Sequence, residues 1–345
     1  MQLFRHLITT MGIVAIVAGF AMPAETVSRH MLADGWMIQS SARIQGGGDA
    51  ISASGFDTSG WYRATVPSTV VGTLVDDKVY RDPFFGLNFR SLPGVSYPIG
   101  SNFSNIAMTA DSPYKVPWWY RKEFQVTRDT EQQVWLHFDG INFRANIWVN
   151  GKRIADSKEV AGAYRIYDFN ITEAVAERKP NVLALEISPP DVGDLAITWV
   201  DWNPMPPDKN MGIWRDAYIA TTGPVALRYP QIVAKVDLPA ANSARLTISA
   251  ELQNVESRPV KATLKGTIDR ITFQQTVELA AKETRQVTFS PDRYPQLTIA
   301  QPRLWWPVHA GPQNLYDLSL QLEADGKPSD RETIRFGIRE ATSWH

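Results

Sequence analysis

The fold is decided by residues 118–126, WWYRKEFQV, and by the segments that follow as far as residue 151. This run is dominated by aromatic and other strand-favouring side chains, which predicts a β-strand. Residues 134–138 (VWLHF) and 145–149 (ANIWV) alternate between an apolar residue and its neighbour, as a strand with one buried face does. Asn150-Gly151 follows at once and favours a type I′ hairpin, because that turn needs positive φ at both central positions. These segments predict an antiparallel sheet.

The same interpretation extends to both sides of this sheet. Residues 182–187 form another alternating run, and residues 217–220 close the set. Residues 93–117 are rich in Ser, Pro, Gly and Asn without periodicity, which predicts an extended surface loop. Several short strands separated by turn signals are typical of an antiparallel sandwich, and we predict a jelly-roll β-sandwich over residues 25–222.

A more regular pattern begins after Thr222-Gly223-Pro224. About seven short alternating strands at roughly even spacing predict an immunoglobulin-like β-sandwich over residues 223–340. The aromatic-rich turn QPRLWWP at residues 301–307 interrupts this pattern, and we expect Trp305 and Trp306 to pack against a neighbouring domain. The predicted fold class is therefore all-β.

The N-terminus has the composition of an export signal. Arg5 and His6 precede a mostly apolar run at residues 7–20, and small residues follow at Ala21 and Ala24. The run is shorter than the ~20 residues that a transmembrane helix needs, which disfavours the alternative of an uncleaved anchor. We predict a signal peptide at residues 1–24, a secreted or periplasmic protein, and no membrane partner after cleavage.

The composition excludes several kinds of site. Lys and Arg number 35 against 36 Asp and Glu, without a long basic run, so no nucleic-acid partner is expected. The absence of Cys excludes thiolate chemistry, and the five His are scattered without metal-ligand spacing, so neither a metal nor a cofactor is expected. His137 is interpreted as a structural or surface residue. No recognisable pair of carboxylates marks a catalytic site, and no catalytic residue is named.

The most distinctive stretch is TWVDWNPMPPDKNMGIWRDAY at residues 198–218. Its three Pro residues exclude a regular helix or central strand, and a long loop of this kind is usually functional. Indole faces can stack on the apolar face of a sugar ring, and carboxylates and amides can bind its hydroxyls. We predict sugar binding by Asp201, Trp202 and Asn203, with a rigid loop that only joins two domains as the alternative. Asp208 with Lys209 is interpreted as a solvated turn rather than a second sugar contact.

Several of these segments together resemble a known family. They are WWYRKEF at residues 118–124, HFDGIN at 137–142, ANIWVNG at 145–151 and GIWRD at 212–216. The chain resembles the non-catalytic N-terminal half of a glycoside hydrolase family 2 enzyme, in the branch of exo-β-D-glucosaminidases and endo-β-mannosidases. The Trp-Asp-Trp loop of the family's β-mannosidases corresponds to Val200, Asp201 and Trp202. The resemblance thus implies that the sugar-contacting Asp is retained and that the first Trp is replaced by Val.

The resemblance implies a jelly-roll domain, an immunoglobulin-like domain and a (β/α)₈ barrel with two catalytic Glu. Residues 336–340 are similar to the strand that leads into the barrel, and residues 341–345 are interpreted as the start of a link to it. A barrel needs about 200 residues or more, which do not follow here. The expectation is therefore a truncated enzyme, inactive by itself.

Three functions stay open at this point. The first is the accessory part of a secreted glycoside hydrolase acting on chitosan oligomers, with β-mannosidase-type specificity as a variant. The second is a stand-alone carbohydrate-binding module or lectin, and the third is a subunit that complements a catalytic barrel in trans. The expected partner is an oligosaccharide that contains amino sugar or mannose. A face carrying Trp202, Trp214 and Trp305 is expected to be exposed, apolar and prone to association.

Overall fold

The computed structural model describes residues 29–98, 100, 106–197 and 204–342. The predicted signal peptide and residues 343–345 lie outside these ranges. The strands are β1 (Arg29–Met31), β2 (Trp36–Ser40), β3 (Tyr62–Ala64), β4 (Trp118–Phe124), β5 (Gln133–Phe138), β6 (Ile141–Asn142), β7 (Arg144–Val149), β8 (Lys152–Ala155), β9 (Tyr167–Asn170), β10 (Asn181–Ser188), β11 (Gly212–Ile213), β12 (Ala217–Thr222), β13 (Val225–Val236), β14 (Ser243–Asn254), β15 (Val260–Ile268), β16 (Ile271–Leu279), β17 (Thr284–Phe289), β18 (Thr298–Ala300), β19 (Tyr316–Ala324) and β20 (Lys327–Phe336). The α-helices are α1 (Gly48–Ile51) and α2 (Val70–Asp76), and the 3₁₀ helices are Ser41–Arg43, Asn88–Ser91 and Pro295–Leu297.

The first sandwich packs two antiparallel sheets face to face. One sheet has the order β3-β2-β4-β10-β7-β8 and the other the order β1-β12-β5-β9. Leu136 and Phe138 of the second sheet meet Ile147 and Leu185 of the first in one buried core, as the alternation predicts. The prediction of a jelly-roll β-sandwich is confirmed. A small ribbon of β6 and β11 lies outside the two sheets and leads to the site described below.

The predicted hairpin joins β7 and β8. Asn150 and Gly151 have φ angles of 51° and 84°, so both central positions are left-handed as a type I′ turn requires. The Asn150 side chain also accepts the backbone N–H of Val182 at 2.8 Å. The turn residue that is predicted from local sequence therefore also ties the hairpin to the start of β10.

The second sandwich is more regular. Its sheets have the orders β13-β14-β17, with β18 also paired to β14, and β16-β15-β19-β20. Alternate residues of β14 and β19 are buried in one shared core, among them Leu246, Ile248, Leu318 and Leu320. The immunoglobulin-like β-sandwich is confirmed, whereas the exact domain boundaries stay predictions. None of the described helices is long and apolar enough to cross a membrane.

The two sandwiches meet through a buried polar junction. The imidazole Nδ1 of His137 and the Asp168 carboxylate of the first sandwich are hydrogen-bonded, and Tyr229 of β13 donates to Asp168 at 2.9 Å. The guanidinium of Arg228 lies 4.2 Å from the ring centroid of Trp135 and 3.3 Å from the Asp330 carboxylate. His137 is therefore a structural residue, as interpreted from the sequence.

Trp305 and Trp306 lie in the connection between β18 and β19 of the second sandwich. Trp305 packs against Gly337, and the Arg339 guanidinium lies 5.0 Å from its ring centroid. Trp306 keeps 44% of its surface exposed. The contacts of Trp305 thus lie within its own sandwich, and packing against a further domain stays a prediction.

Candidate functional site

The predicted sugar-binding residues fall between Ile197 and Pro204 in the sequence. Asp201, Trp202 and Asn203 lie outside the described residues. The structure describes the surface formed by the residues on either side of this stretch of sequence. That surface is built from the β6–β11 ribbon, the start of α2, and the residues that precede 198 and follow 203 in the sequence.

A shallow cavity of about 210 Å³ opens on this surface. Its lining residues are Pro67, Ser68, Thr69, Ile197, Asn210 and Trp214. We call it the Trp214 pocket. Its lining includes an indole, two hydroxyls and an amide. The Ser68 hydroxyl donates to the Thr69 carbonyl at 3.2 Å, and the Thr69 hydroxyl accepts the backbone N–H of Gly72 at 3.1 Å. The volume of the pocket is below the ≈ 300–1,000 Å³ of pockets for drug-sized ligands, so it suits about one sugar unit.

Trp214 is half-buried and held in a defined orientation. Its indole N–H donates to the carbonyl of Ala163 at 2.8 Å. Tyr164 packs edge-on at 5.6 Å between ring centroids, and the Arg215 guanidinium lies 5.6 Å from the indole centroid. The sequence predicts an exposed, apolar Trp214. Instead its polar atom is satisfied internally, and only part of the ring is accessible.

Asp208 corrects one of the predictions. Its side chain is fully buried, so the interpretation of Asp208 with Lys209 as a solvated turn is wrong. The carboxylate accepts the backbone N–H of Val71 at 2.7 Å and that of Asn210 at 2.9 Å. Burial raises the pKa of Asp208 to about 6. Asp208 thus holds the segment around residues 208–210 against the first turn of α2, and its burial excludes direct contact with a sugar.

The floor of the Trp214 pocket depends on a close approach of two backbones. Ser68 and Val70 donate their N–H groups to the carbonyls of Ile213 and Met211, each at 2.9 Å. A Cβ on Gly212 would lie 2.7 Å from the Ser68 carbonyl and 2.6 Å from the Tyr120 hydroxyl. Only glycine fits at this position, because any side chain would push α2 away from the ribbon.

Sequence reasoning missed Ser68, Thr69 and Asn210 as pocket residues. The first two are separated from Trp214 by about 145 residues of sequence, and no local pattern links them. In the sequence, Ser68 and Thr69 stand out only as part of a Val-Pro-Ser-Thr run in front of a short helical turn. The long-range pairing through Asp208 brings them to the site.

The described lining of the Trp214 pocket has no group placed for bond cleavage. No carboxylate is among the described residues that line the Trp214 pocket. Within the described ranges, no group of three or more His, Asp or Glu side chains is arranged to hold a metal ion. Stacking and hydrogen bonding are what this surface offers.

Comparisons with known families agree with this division into two sandwiches. The family model described as "Glycosyl hydrolases family 2" matches residues 225–339. The model described as "Glycosyl hydrolase 2 galactose-binding domain-like" matches residues 99–192. The two matches fall on the second and the first sandwich respectively.

Curated relatives extend the similarity over nearly the whole chain. An exo-beta-D-glucosaminidase from Streptomyces avermitilis is 37% identical over 307 residues, which are 89% of this chain and 32% of the relative. An exo-beta-D-glucosaminidase from Hypocrea jecorina is 33% identical over 340 residues, 96% of this chain and 36% of the relative. The chain thus spans about a third of the length of these relatives.

A solved structure gives the same picture. The exo-chitosanase of Amycolatopsis orientalis superposes with a TM-score of 0.78 at 36% identity, covering 90% of this chain and 34% of that one. A variant of that protein was solved in complex with PNP-beta-D-glucosamine, and it superposes with the same TM-score of 0.78 over 91% of this chain and 34% of that one.

Proposed function

The chain belongs to glycoside hydrolase family 2, and from this premise we propose that it is the accessory part of an enzyme that hydrolyses O-glycosyl bonds. The first sandwich holds part of the saccharide, and the second supports it against a catalytic barrel. The observation that carries this proposal is the Trp214 pocket, whose lining includes Ile197, Asn210 and Trp214, which flank in sequence the segment that corresponds to the family's sugar-contacting loop.

The proposed substrate is an oligosaccharide that ends in glucosamine. Relatives named exo-beta-D-glucosaminidase share 30–37% identity with this chain, and the Amycolatopsis orientalis protein was solved with PNP-beta-D-glucosamine. A β-mannosidase-type substrate is the alternative, because a mannosylglycoprotein endo-beta-mannosidase from Lilium longiflorum is 27% identical over 92% of this chain and 34% of its own length.

Asp201, Trp202 and Asn203 are the proposed sugar contacts. Asp201 accepts hydrogen bonds from sugar hydroxyls, Trp202 stacks on the ring, and Asn203 supplies a further amide. Their place in the sequence supports this assignment, since Ile197 on one side and Asn210 and Trp214 on the other line one pocket. This continuity favours a binding loop over a plain connector.

We further propose that residues 1–345 do not hydrolyse a glycoside by themselves. Retaining hydrolysis needs two carboxyl groups about 5–5.5 Å apart across the scissile bond, and no such pair lines the described pocket. A (β/α)₈ barrel would supply them, either in one polypeptide or in trans. The composition of residues 1–24 supports export, so we place this activity outside the cytoplasm.

A chimera tests the proposal. The chain is joined to the remaining two thirds of the Amycolatopsis orientalis protein, and release of p-nitrophenol from PNP-β-D-glucosamine is measured. We expect no release by the chain alone and clear release by the chimera. Asp201→Asn in the chimera should lower kcat/KM by about 100-fold, since misplacing the reacting sugar by ~1 Å can cost that much.

The matched control is Asp292→Asn, which removes an exposed carboxylate of the second sandwich. It should leave kcat/KM within a factor of about two, because a surface ion pair contributes little. Hydrolysis by the chain alone at rates like those of an intact enzyme would refute the proposed inactivity. A fully active Asp201→Asn chimera would refute the assigned sugar contact.

A stand-alone carbohydrate-binding module is the second candidate. The Trp214 pocket favours it, because an indole, hydroxyls and an amide lie together around one cavity. Titration calorimetry of the chain with glucosamine oligomers separates the two functions. Saturable binding together with an inactive chimera supports the module, whereas an active chimera supports the accessory role.

A further inference from the structure

We propose that three consecutive residues, Asn142, Phe143 and Arg144, position both walls of the Trp214 pocket without touching the sugar. Asn142 ends β6 and Arg144 begins β7. None of the three lines the pocket. The proposal rests on the proposed function, because it concerns how the same pocket keeps the shape that a saccharide needs.

Asn142 holds the wall that contains Asn210. Its side chain is fully buried, and its amide N–H₂ donates to the carbonyls of Lys209 and Asn210, each at 2.8 Å. Both of those residues have positive φ, 51° and 56°. Such a backbone costs non-glycine residues free energy, so it persists only where other contacts enforce it. The two hydrogen bonds from Asn142 are contacts of this kind.

Arg144 holds residues 194–197, the segment that ends at the pocket residue Ile197. Its guanidinium binds the Asp194 carboxylate through both terminal nitrogens, at 2.6 and 2.7 Å. This fork geometry is specific to Arg, because a Lys ammonium cannot make two parallel bonds. The hydrogen bonds from Arg144 hold the pKa of Asp194 below its usual value. The backbone carbonyl of Asp194 in turn accepts the backbone N–H of Ala196 at 2.9 Å.

Phe143 joins the two walls. Its buried ring packs in one cluster with Ala163 and Ala196, and Ile197 packs against that cluster. The carbonyl of Ala163 accepts the indole N–H of Trp214 at 2.8 Å. The middle residue of the tripeptide therefore contacts the support of the indole as well as the segment that ends at Ile197.

One short segment thus sets the distance between the Ile197 wall and the Asn210 wall. A displacement of this segment moves both walls at once, and the indole of Trp214 with them. Asn142 and Arg144 are consequently positioning residues. Replacement of Arg144, whose side chain is partly exposed, should change the pocket while the two sandwich cores stay folded.

The experiment uses the 345-residue chain with Arg144→Lys and, separately, Asn142→Asp. The indole N–H signal of Trp214 is observed by ¹H–¹⁵N NMR and is assigned by its loss in Trp214→Phe. We expect both variants to shift that signal and to speed the exchange of its proton with solvent. Affinity for a glucosamine trisaccharide, measured by calorimetry, should fall by about tenfold or more.

The control is Arg245→Lys, at an Arg–Asp pair of the second sandwich with the same 2.6 Å separation from Asp292. It should change neither readout. An unmoved Trp214 signal in Arg144→Lys, with affinity unchanged, overturns the inference. If the wild-type chain binds no sugar, the calorimetric arm counts against the chain's own sugar binding, and the NMR arm still decides the role of the tripeptide. Because Asn142→Asp could fail to fold, the milder Arg144→Lys keeps the test decisive.

Discussion

The Trp214 pocket end of the first sandwich and the core of the second sandwich satisfy the hydrogen-bonding groups of their backbones in different ways. In β14 the side chains alternate between core and surface, and the ladder of β-strands satisfies the backbone. At the pocket end, a buried carboxylate and a buried amide satisfy a backbone that follows no regular pattern, through Asp208 and Asn142. The comparison shows that the candidate pocket lies where buried side chains, rather than neighbouring strands, provide the hydrogen-bond partners of the backbone.

The largest expected effect is a loss of stability in the second sandwich that leaves the Trp214 pocket unchanged. Phe289→Ala removes a fully buried ring that packs 4.7 Å from the Phe273 centroid in the second sandwich. The cavity should lower the free energy of unfolding by about 3–5 kcal/mol. Urea denaturation followed by circular dichroism measures it. The Trp214 indole signal of the folded variant should stay unchanged, and a shifted signal would show that the two regions are coupled.

The next effect belongs to the pocket end and depends on pH. Burial raises the pKa of Asp208 to about 6, above its usual value of 3.8, so the folded state binds this proton more tightly than the unfolded state. Its contribution therefore destabilises the folded state as pH rises from about 4 to 7, by about 3 kcal/mol. Asp208→Asn should abolish this contribution. The measurement is the difference in unfolding free energy between wild type and variant across that pH range.

Asp330→Asn provides the comparison for this titration. Burial also raises the pKa of Asp330 to about 6, but this residue lies at the junction of the sandwiches. Its replacement should change the pH dependence in the same direction while leaving the Trp214 signal in place. Between about pH 4 and 7 the wild type should lose more unfolding free energy than Asp208→Asn does. Equal losses in the two proteins would contradict the raised pKa of Asp208.

The smallest effect concerns two ion pairs of equal length. Arg245–Asp292 and Arg144–Asp194 both have nitrogen–oxygen distances of 2.6 Å, but the side chains of the first pair are 53% and 79% exposed. A double-mutant cycle on Arg245 and Asp292 should give a coupling energy of about 0.5 kcal/mol or less. The same cycle on Arg144 and Asp194 should give a larger value. Equal values would remove the distinction between a surface pair and a pair that shapes the pocket.

The fold could be predicted because its determinants are local. Alternation in residues 134–138 and 145–149 shows which side chains face the core, and Asn150-Gly151 marks the hairpin. The prediction for Asp208 failed for the opposite reason. Its partner Val71 lies 137 residues earlier, and a polar residue next to prolines has the composition of a surface turn.

The candidate site was predicted in part. Trp214 lines the pocket as the aromatic loop suggested, but the positioning role of Asn142 and Arg144 had no local signal. The bidentate partner of Arg144 is 50 residues away, so spacing alone does not reveal it. Asp201, Trp202 and Asn203 lie outside the described residues, and their role stays a prediction, as do the domain boundaries.

The junction between the sandwiches limits how this chain can be recombined. Asp168 comes from one sandwich, whereas Arg228 and Asp330 come from the other, and all three side chains are largely removed from water. Exchanging one sandwich for that of a distant homologue would remove the contact between Arg228 and Asp168 that crosses this buried junction, and losing a partner of a buried charge costs free energy. Grafts between homologues should therefore transfer both sandwiches together or redesign this triad.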